Sequence, residues 1–382
     1  MRFQLRLLLP VLLLSALVAL QLPVQAQRIR IAAGNISSGN GQDYDQGHGI
    51  RIFQGVKPDI ILIQEFNYLD NSAANIRSFV TTTCGATFSY FRESNTGSIP
   101  NGVISRYPIL ESGQWVSTVA ERDYAWARID LPGNRELLAI SLHLPTDDAK
   151  RPAEAEDLNQ YIKNYYLASN VRATDYLVIG GDFNSDTRTE TALNTLGTLV
   201  TVGTTQPADR SGNVNTNAGR NKPYDAVYAG KGLHGLQVPT VIGNSTFAHG
   251  LVADTRVYSP IMEIAPALSS DSGATNMQHQ AVIKDFQLPL AADPTVLELL
   301  DASINLAPPF RVQFTFRSKA GATYEVQASQ SLGALPWTNL GTFNAAGIRT
   351  PITVVPAAPS TGQVVDSLLG TEPQRFYRVI QR

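Results

Sequence analysis

The sequence contains a single cysteine, Cys84, among its 382 residues. One cysteine can neither form a disulfide within the chain nor supply the several thiolates of a cysteine-rich zinc site. Small disulfide-stapled folds and zinc-finger modules are therefore excluded. A chain of this length can bury a core large enough to fold without covalent cross-links.

The sequence also lacks an excess of basic residues. Lys and Arg number 30 against 32 Asp and Glu, which gives a formal net charge of -2. Residues 27–286, which carry the candidate catalytic residues, hold more acidic than basic side chains. A protein dedicated to duplex nucleic acid usually presents a basic face. Nucleic acid therefore cannot be assumed as the substrate.

Apolar runs of membrane-spanning length are missing after the first 26 residues. The N-terminus combines Arg2 and Arg6 with an apolar stretch over residues 7–20 and small residues at 24–26. This arrangement predicts a signal peptide over residues 1–26. An uncleaved anchor is the alternative, against which the short apolar stretch argues. The sequence thus predicts a secreted or periplasmic protein whose mature form has no transmembrane segment.

Hydrophobic periodicity predicts an α/β domain over residues 27–286. Apolar runs and alternating segments, which predict strands, are interspersed with segments of helical periodicity. The predicted strands cover 27–35, 59–64, 86–92, 101–106, 125–130, 136–143, 176–182, 224–228, 251–258 and 281–286, and the predicted helices cover 50–56, 71–83 and 152–168.

The character of the sequence changes after Gln287. Prolines punctuate residues 287–295, which we interpret as a linker. Residues 296–382 show short alternating segments and recurrent turn signals without helical periodicity, which predicts a small all-β sandwich. Its strands are predicted at 310–316, 324–329, 352–355 and 376–380. Its few titratable residues are scattered, so we expect no active site there. Binding of a surface or polymer ligand is a possible role for this domain.

The most informative stretch is YLVIGGDFNSD, residues 176–186. A buried strand ends near Gly180-Gly181 and delivers Asp182 and Asn184, which lie on the same side of an extended backbone. A carboxylate and a carboxamide at a strand end can hold a cation, a water molecule or a phosphate oxygen. The alternative is an Asx turn that only terminates the strand.

Other predicted strands end in the same way. Asn35, Glu65 and His143 each follow an apolar or alternating segment, Asp225 opens a short strand, and His279 precedes the last one. Strand ends that meet at one edge of a sheet are common places for binding and catalytic groups in α/β proteins. We therefore expect these polar side chains to converge on one site.

Five of these fragments carry a resemblance to a known family: Asn35, Gln64-Glu65, NGVISRYPI at 101–109, His143 in SLHLP, and GDFN at 181–184. With Tyr224-Asp225 and His279, the set resembles the endonuclease/exonuclease/phosphatase superfamily of metal-dependent phosphoesterases over residues 27–286. The resemblance implies a four-layer α/β sandwich, two packed β-sheets flanked by helices, followed here by the small all-β sandwich. It also implies hydrolysis of a phosphate ester by water with a divalent cation, Mg²⁺ or Mn²⁺.

The resemblance assigns the cation and the water to two pairs of residues. Glu65 and Asn35 match the metal-binding positions, and a carboxylate with an amide suits Mg²⁺, which prefers oxygen ligands and keeps several waters. Asp182 and Asn184 match the pair that positions the nucleophilic water and the phosphate oxygens, so Asn184 is also expected to bind substrate.

The resemblance assigns proton transfer and charge stabilisation to the histidines. His279 matches the general base, with Asp225 as the carboxylate that orients its imidazole. His143 matches a second histidine, which would donate hydrogen bonds to the phosphoryl oxygens as charge builds up on them. Arg122 stands where related enzymes place a phosphate-binding arginine.

One position departs from the family pattern. An acidic residue usually precedes the late histidine, but here Gln278 precedes His279. The site is therefore expected either to bind a single cation weakly or to use Asp271 from the preceding loop. Glu93 is the candidate partner of His143.

These observations favour a secreted, metal-dependent phosphodiesterase of nuclease-like type that uses an activated water. A phospholipase-C-like enzyme or a phosphomonoester hydrolase on the same fold is one alternative, because specificity in this fold depends on loops such as 203–222. A catalytically decayed binding or adhesion protein is the other. Gln278 favours decay, whereas the intact Glu65 and Asp182 argue against it. The expected partner is a phosphate ester, either a nucleic acid or a phospholipid headgroup.

Overall fold

The structure is a computed structural model that describes most of the chain after residue 25. The predicted signal peptide lies outside the described residues except for its last one, and so do residues 290–295 of the predicted linker. Two compact units divide the chain, Gln27–Leu288 and a second unit that includes Pro289–Arg382. Within the described part no helix is long and apolar enough to cross a membrane. The described ranges are 26–94, 99–119, 122–132, 135–168, 176–203, 205–289, 298–305, 311–317, 322–329, 337–344, 350–355, 363–365 and 376–381.

Strands and helices alternate through the first unit. Its strands are β1 (Ala26–Gly34), β2 (Ile60–Ile63), β3 (Ser89–Arg92), β4 (Gly102–Ser105), β5 (Ile109–Trp115), β6 (Tyr124–Leu131), β7 (Arg135–His143), β8 (Tyr176–Asp182), β9 (Asp225–Ala229), β10 (Gln237–Val238), β11 (Thr240–Ile242), β12 (Ser245–Phe247), β13 (Leu251–Val252) and β14 (Val282–Pro289). Its α-helices are α1 (His48–Val56), α2 (Ala73–Thr83), α3 (Arg151–Ala168), α4 (Thr191–Leu196) and α5 (Lys231–His234).

Two sheets form the body of the first unit. The larger sheet has the strand order β10-β14-β1-β2-β4-β3, with β13 paired to β14, and the smaller one has the order β5-β6-β7-β8-β9. Each sheet contains one parallel pair at its centre, β1 with β2 and β7 with β8. The strands β2 and β8 read as apolar runs because every one of their residues is buried, as happens when both faces of a sheet are covered.

Alternate side chains of the same strands enter different cores. The central core lies between the sheets and includes Ile31 and Leu62 of the larger sheet with Ala139 and Val178 of the smaller one. Side chains of α1 and α2 cover the outer face of the larger sheet, and those of α3 and α4 cover the outer face of the smaller one. These layers confirm the predicted four-layer α/β sandwich.

The second unit is rich in strands, as predicted. Its strands are β15 (Glu298–Asn305), β16 (Arg311–Arg317), β17 (Thr323–Ser329), β18 (Thr338–Asn344), β19 (Thr350–Val355), β20 (Gln363–Val365) and β21 (Phe376–Gln381). They form the sheets β15-β16-β19-β20 and β18-β17-β21. Alternate residues from both sheets, such as Val312, Phe314, Tyr324 and Val326, share one small core.

Two predictions for the first unit were inaccurate. The edge strand β5 was missed because its sequence, ILESGQW, is half exposed and carries little apolar alternation. The predicted strand 251–258 is wrong beyond Val252. The chain turns there, because the Asp254 carbonyl oxygen accepts a hydrogen bond from the Val257 N–H at 3.2 Å, and the Asp254 side chain accepts one from the Arg256 N–H.

Candidate active site

Three neighbouring strands of the smaller sheet bring titratable side chains to the same edge. Strand β7 ends at His143, β8 ends at Asp182, and β9 begins at Asp225. The register pairs His143 with Asp182 and Asp182 with Asp225. Residues that are partners in register lie side by side on adjacent strands. The structure therefore places these three predicted site residues in one row.

His279 joins this row from the segment that leads into β14 of the larger sheet. Its Nδ1 lies 2.9 Å from Oδ2 of Asp225, and its Nε2 lies 3.4 Å from Oδ2 of Asp182. The same Asp182 oxygen lies 3.0 Å from Nε2 of His143. All four side chains are buried. One carboxylate thus bridges two imidazoles, and a second carboxylate holds the far side of one of them.

Burial and charge act against each other in this row. Burial alone would lower the pKa of His279, but the charges of Asp182 and Asp225 outweigh it and raise the pKa to about 10. Burial would raise the pKa of Asp182, yet the neighbouring imidazoles hold it well below its usual range. Burial does raise the pKa of Asp225, although contact with His279 opposes the shift. The row therefore keeps a proton on His279 at neutral pH.

The segment after β8 contains the turn that the sequence left open as an alternative. The Asn184 N–H donates to Oδ1 of Asp182 at 2.8 Å, which is an Asx turn, and Asn184 has a positive φ of 47°. Its Nδ2 donates to the Leu144 carbonyl oxygen at 2.8 Å. One oxygen of Asp182 fixes the turn while the other contacts the imidazoles. The structure therefore shows the Asx turn, and the proposed role of Asp182 and Asn184 in the reaction stays a prediction.

Glu65 lies just after β2 and is held on both of its carboxylate oxygens. The Ser37 hydroxyl donates to Oε2 and also lies 3.3 Å from Oδ1 of Asn35, while Nε2 of Gln42 donates to Oε1 at 3.1 Å. Glu65 is buried and has a φ of 49°, a conformation uncommon outside glycine. Strained backbone of this kind concentrates at functional sites. The predicted pair Asn35 and Glu65 thus shares one hydroxyl neighbour.

The oxygen atoms around Glu65 fit a hard divalent cation. A carboxylate and an amide oxygen, completed by waters, are a donor set that Mg²⁺ accepts. The trio Asp182, Asp225 and His279 also offers ligand atoms within 4.8 Å of one another. In that trio, however, both ring nitrogens of His279 already contact carboxylates, as in a proton-transfer unit. Glu65 and Asn35 are therefore the better fit for the cation.

Arg122 lies beside the row, whereas the expected partner of His143 does not contact it. Nη1 of Arg122 donates to the Leu144 carbonyl oxygen at 3.0 Å, the acceptor that Asn184 also uses. Among the described residues Nδ1 of His143 has no hydrogen-bond partner. The prediction of Glu93 as its partner is therefore wrong. Glu93 instead accepts hydrogen bonds from the backbone and side chain of Asn101.

The suggestion that Asp271 replaces the missing acid is also wrong. Its buried carboxylate forms ion pairs with Arg51 at 2.5 Å and His48 at 3.0 Å, which commits it to α1. Gln278 itself has an exposed side chain, and its carbonyl oxygen accepts a hydrogen bond from the Ala218 N–H at 2.6 Å. The position before His279 is thus held through its main chain.

Sequence reasoning missed the residues that support the site from behind. Nε2 of Gln64, which follows β2, donates to the Ser141 hydroxyl of β7 at 2.7 Å and so joins the two sheets close to Glu65 and His143. The Thr216 hydroxyl accepts a hydrogen bond from the Asp225 N–H at 2.7 Å. Single polar residues of this kind leave no periodic signal. Gln64 was recognised only as part of the family fragment Gln64-Glu65, without a role of its own.

Comparisons with known proteins give one family and a set of solved structures. The model of the Endonuclease/Exonuclease/phosphatase family matches residues 48–243. Matching solved structures include truncated Caenorhabditis elegans TDP2, at 14% identity over 68% of this chain and 98% of that chain, with a TM-score of 0.44. An endonuclease/exonuclease/phosphatase family protein from Bacteroides thetaiotaomicron matches at 13% identity over 70% and 100% of the two chains, with a TM-score of 0.46. A mannosyl-6-phosphatase from the same organism matches at 12% identity over 68% and 99%, with a TM-score of 0.43. No curated protein sequence matches the chain.

Proposed function

The chain belongs to the endonuclease/exonuclease/phosphatase family, and from this premise we propose that it hydrolyses a phosphodiester in a nuclease-like reaction. Water is the nucleophile, and a divalent cation, Mg²⁺ or Mn²⁺, is the cofactor. The reaction takes place outside the cytoplasm, in the secreted or periplasmic form of the protein that the N-terminal residues 1–26 predict.

The observation that carries this proposal is the buried row His143, Asp182, His279 and Asp225. Burying charged groups costs free energy unless they are paired, and a hydrophobic core of the same volume would serve folding as well or better. Strongly shifted pKa values at a strand edge, caused by specific charged neighbours, are typical of sites that move protons. The row is thus better explained by proton transfer than by stability.

Asp225 and Asp182 have different proposed roles around His279. Asp225 accepts a hydrogen bond from the Nδ1–H of His279 and so fixes the orientation of the ring, with Nε2 facing Asp182. A water molecule beside Asp182 is then within reach of an imidazole that can accept its proton. Since His279 holds a proton at neutral pH in this arrangement, it acts as a base only when the negative charge around it falls.

Cation binding at Glu65 would reduce the negative charge around His279. Glu65 is one of the charges that raise the pKa of His279, and it is the carboxylate that with Asn35 would hold Mg²⁺. A bound cation would supply positive charge that neutralises Glu65 and the charge developing on the phosphoryl oxygens. Neutralisation of Glu65 lowers the pKa of His279 towards the range in which a general base works.

His143, Asn184 and Arg122 bind the phosphoryl group in this proposal. Imidazole, amide and guanidinium N–H groups stabilise charge that builds up on phosphoryl oxygens during attack. Arg122 and Asn184 share the Leu144 carbonyl oxygen, so one segment places both donors. The same site contains the carboxylates of Glu65, Asp182 and Asp225. A diester, with one negative charge, therefore suits it better than a doubly charged monoester.

A panel of substrates tests the reaction class. The purified mature protein is assayed on a chromogenic phosphodiester, a chromogenic phosphomonoester, single-stranded and duplex DNA, RNA and sphingomyelin, each with Mg²⁺, with Mn²⁺ and with excess chelator. Metal-dependent hydrolysis of the diester, with little turnover of the monoester, is the expected result. Metal-dependent turnover of the monoester alone would favour a phosphatase instead, and no turnover of any ester would favour the binding protein.

Two variants test the assigned residues. His279→Ala and Asp182→Ala should each lower turnover by about two orders of magnitude or more, since each removes a group that contacts the proposed nucleophile. His249→Ala is the matched control, because His249 is an exposed histidine outside the row. A folded Asp182→Ala protein with the turnover of the His249 control would remove Asp182 from the mechanism.

A further inference from the structure

We infer that Arg220 is a positioning residue for the Asp225–His279 pair. Its guanidinium contacts Asp209 and Ser211 of the loop 209–222. That loop is hydrogen-bonded to the backbone of Asp225 and of the two residues that flank His279. The kinetic part of this inference rests on the function proposed above, whereas its structural part does not.

The loop is folded around the guanidinium of Arg220. Nη2 of Arg220 lies 2.5 Å from Oδ2 of Asp209 and 2.7 Å from the Ser211 hydroxyl, and its Nε forms an ion pair with Asp254 at 3.1 Å. The carbonyl oxygen of the same residue accepts hydrogen bonds from the side chains of Asn213 at 2.9 Å and Asn215 at 3.4 Å. One arginine thus organises five side chains.

Asp209 depends on this guanidinium, whereas Asp254 is also paired with Arg256. The side chains of Asp209 and Asp254 are each only 1% exposed. The other oxygen of Asp209 is already used, because Oδ1 accepts the N–H groups of Ser211 and Asn213. Removal of the Arg220 guanidinium would leave the buried charge of Asp209 without its ion-pair partner, which is strongly unfavourable.

The loop holds the main chain on both sides of His279. The Ala218 N–H donates to the Gln278 carbonyl oxygen at 2.6 Å, and the Gln280 N–H donates to the Thr216 carbonyl oxygen at 2.7 Å. These two hydrogen bonds flank His279, which bridges to Asn217 of the loop. Since main-chain hydrogen bonds on both sides fix the backbone, the loop sets where the imidazole stands.

The same loop holds Asp225. The Thr216 hydroxyl accepts the Asp225 N–H at 2.7 Å, so one loop residue contacts the backbone of both Asp225 and Gln280. Arg256 reinforces the connection, because it donates to the Ala218 carbonyl oxygen at 2.9 Å while its other nitrogens bind Asp254. Displacement of the loop therefore changes the 2.9 Å contact between Nδ1 of His279 and Oδ2 of Asp225.

The positioning role is tested by kinetics on the chromogenic phosphodiester with three variants, Arg220→Ala, Arg220→Lys and Arg210→Ala. Arg210 is the matched control because it is an exposed arginine in the same loop. Arg220→Ala should lower kcat by about 10- to 100-fold, the effect of a misplacement of about 1 Å, with little change in KM. Arg220→Lys should restore only part of kcat, since one ammonium cannot replace the planar fork of donors. Guanidinium chloride, far below denaturing concentration, should restore part of kcat in the alanine variant only.

Proton NMR provides a readout that does not depend on activity. The Nδ1 proton that His279 shares with Asp225 should give a signal far downfield of the amide region, assigned by its loss in His279→Gln. That signal should broaden or shift in Arg220→Ala, recover in part with guanidinium, and stay unchanged in Arg210→Ala. Thermal unfolding of each variant shows that the comparison is made on folded protein.

The outcomes separate this inference from the proposed function. If no ester is hydrolysed but the downfield signal responds as expected, the proposed function fails and the positioning role stands. If Arg220→Ala keeps both the signal and kcat of the Arg210 control, the inference is overturned. Loss of kcat with an unchanged signal, or a change in KM alone, would also overturn it, because neither reports movement of the Asp225–His279 pair.

Discussion

His279 should make the stability of the protein depend on pH in the alkaline range. The charges of Asp182 and Asp225 outweigh burial and raise its pKa from 6.5 to about 10. A group whose pKa is higher in the folded than in the unfolded state stabilises the fold while it is protonated in both. The contribution is therefore complete below pH 6.5 and is lost as the pH rises through about 10.

The size of the effect follows from the shift. One pKa unit corresponds to about 1.4 kcal/mol, so a shift from 6.5 to about 10 corresponds to at most about 5 kcal/mol. The neighbouring carboxylates share the same proton, which makes this an upper limit. The whole stability of a domain is about 5–15 kcal/mol, so the contribution of His279 is a large part of it. Loss of half of that contribution should lower the Tm by about 5–10 °C.

Thermal unfolding followed by circular dichroism between pH 6.5 and 10, with excess chelator, measures this loss. His279→Gln should be less stable than the wild type at pH 6.5, and the difference should shrink as the pH approaches 10. His249→Gln is the control, because it removes an exposed histidine. A difference between wild type and His279→Gln that stays constant across this range would refute the charge balance described for the row.

Further predictions follow from the metal site, the turn, the domain boundary and the departure from the family pattern. Exhaustive chelation should abolish hydrolysis of the chromogenic diester and added Mg²⁺ or Mn²⁺ should restore it; full activity without metal would contradict the assignment of Glu65. Gly181→Ala should destabilise the fold by about 2 kcal/mol or more, measured by urea unfolding, because its Cβ would lie 2.1 Å from the Leu142 carbonyl oxygen at a φ of 142°. A protein ending at Leu288 should fold and hydrolyse small soluble esters, since its core is separate from that of the second unit; aggregation of the truncated chain would argue that the units depend on each other. Gln278→Asp should lower the Mg²⁺ concentration for half-maximal activity if its carboxylate reaches the cation, and unchanged metal dependence with reduced turnover would show that it does not.

The four-layer sandwich was implied by the family resemblance, whereas the sequence pattern itself predicted the central strands, because they are buried on both faces. Runs such as IILI in β2 and YLVI in β8 are recognisable without any partner. Strand β5 and the short strands β10–β12 were not predicted because they are edge strands or pairings of two or three residues. Their formation depends on neighbours that only the folded chain supplies. Local pattern therefore predicts the centre of each sheet better than its edges.

The site was also predictable only in part, because the sequence pattern reveals where buried strands end but not how those strands pair. Asp182 and His143 end buried strands, so their place at the sheet edge follows from the pattern. The register that sets them side by side, and the arrival of His279 from the other sheet, do not. The failed prediction for Glu93 shows what sequence alone does not reveal. The carboxylate of Glu93 accepts hydrogen bonds from Asn101, which the sequence pattern does not indicate. Hydrogen bonds between residues far apart in the chain are decided by tertiary packing.

The two contacts of Asp182 with histidine differ in what determines their length. The 3.0 Å contact with His143 lies within one sheet, where the ladder of β7 and β8 fixes both residues. The 3.4 Å contact with His279 joins the two sheets. Strand partners are held at a nearly fixed spacing by their ladder hydrogen bonds, whereas the spacing of packed sheets depends on side chains and connecting loops. Substitutions between the sheets or in the loop 209–222 should therefore disturb His279 first and leave the His143–Asp182 contact in place. In the proposed mechanism, the general base His279 is then more easily perturbed than His143, which is proposed to hydrogen-bond the phosphoryl group.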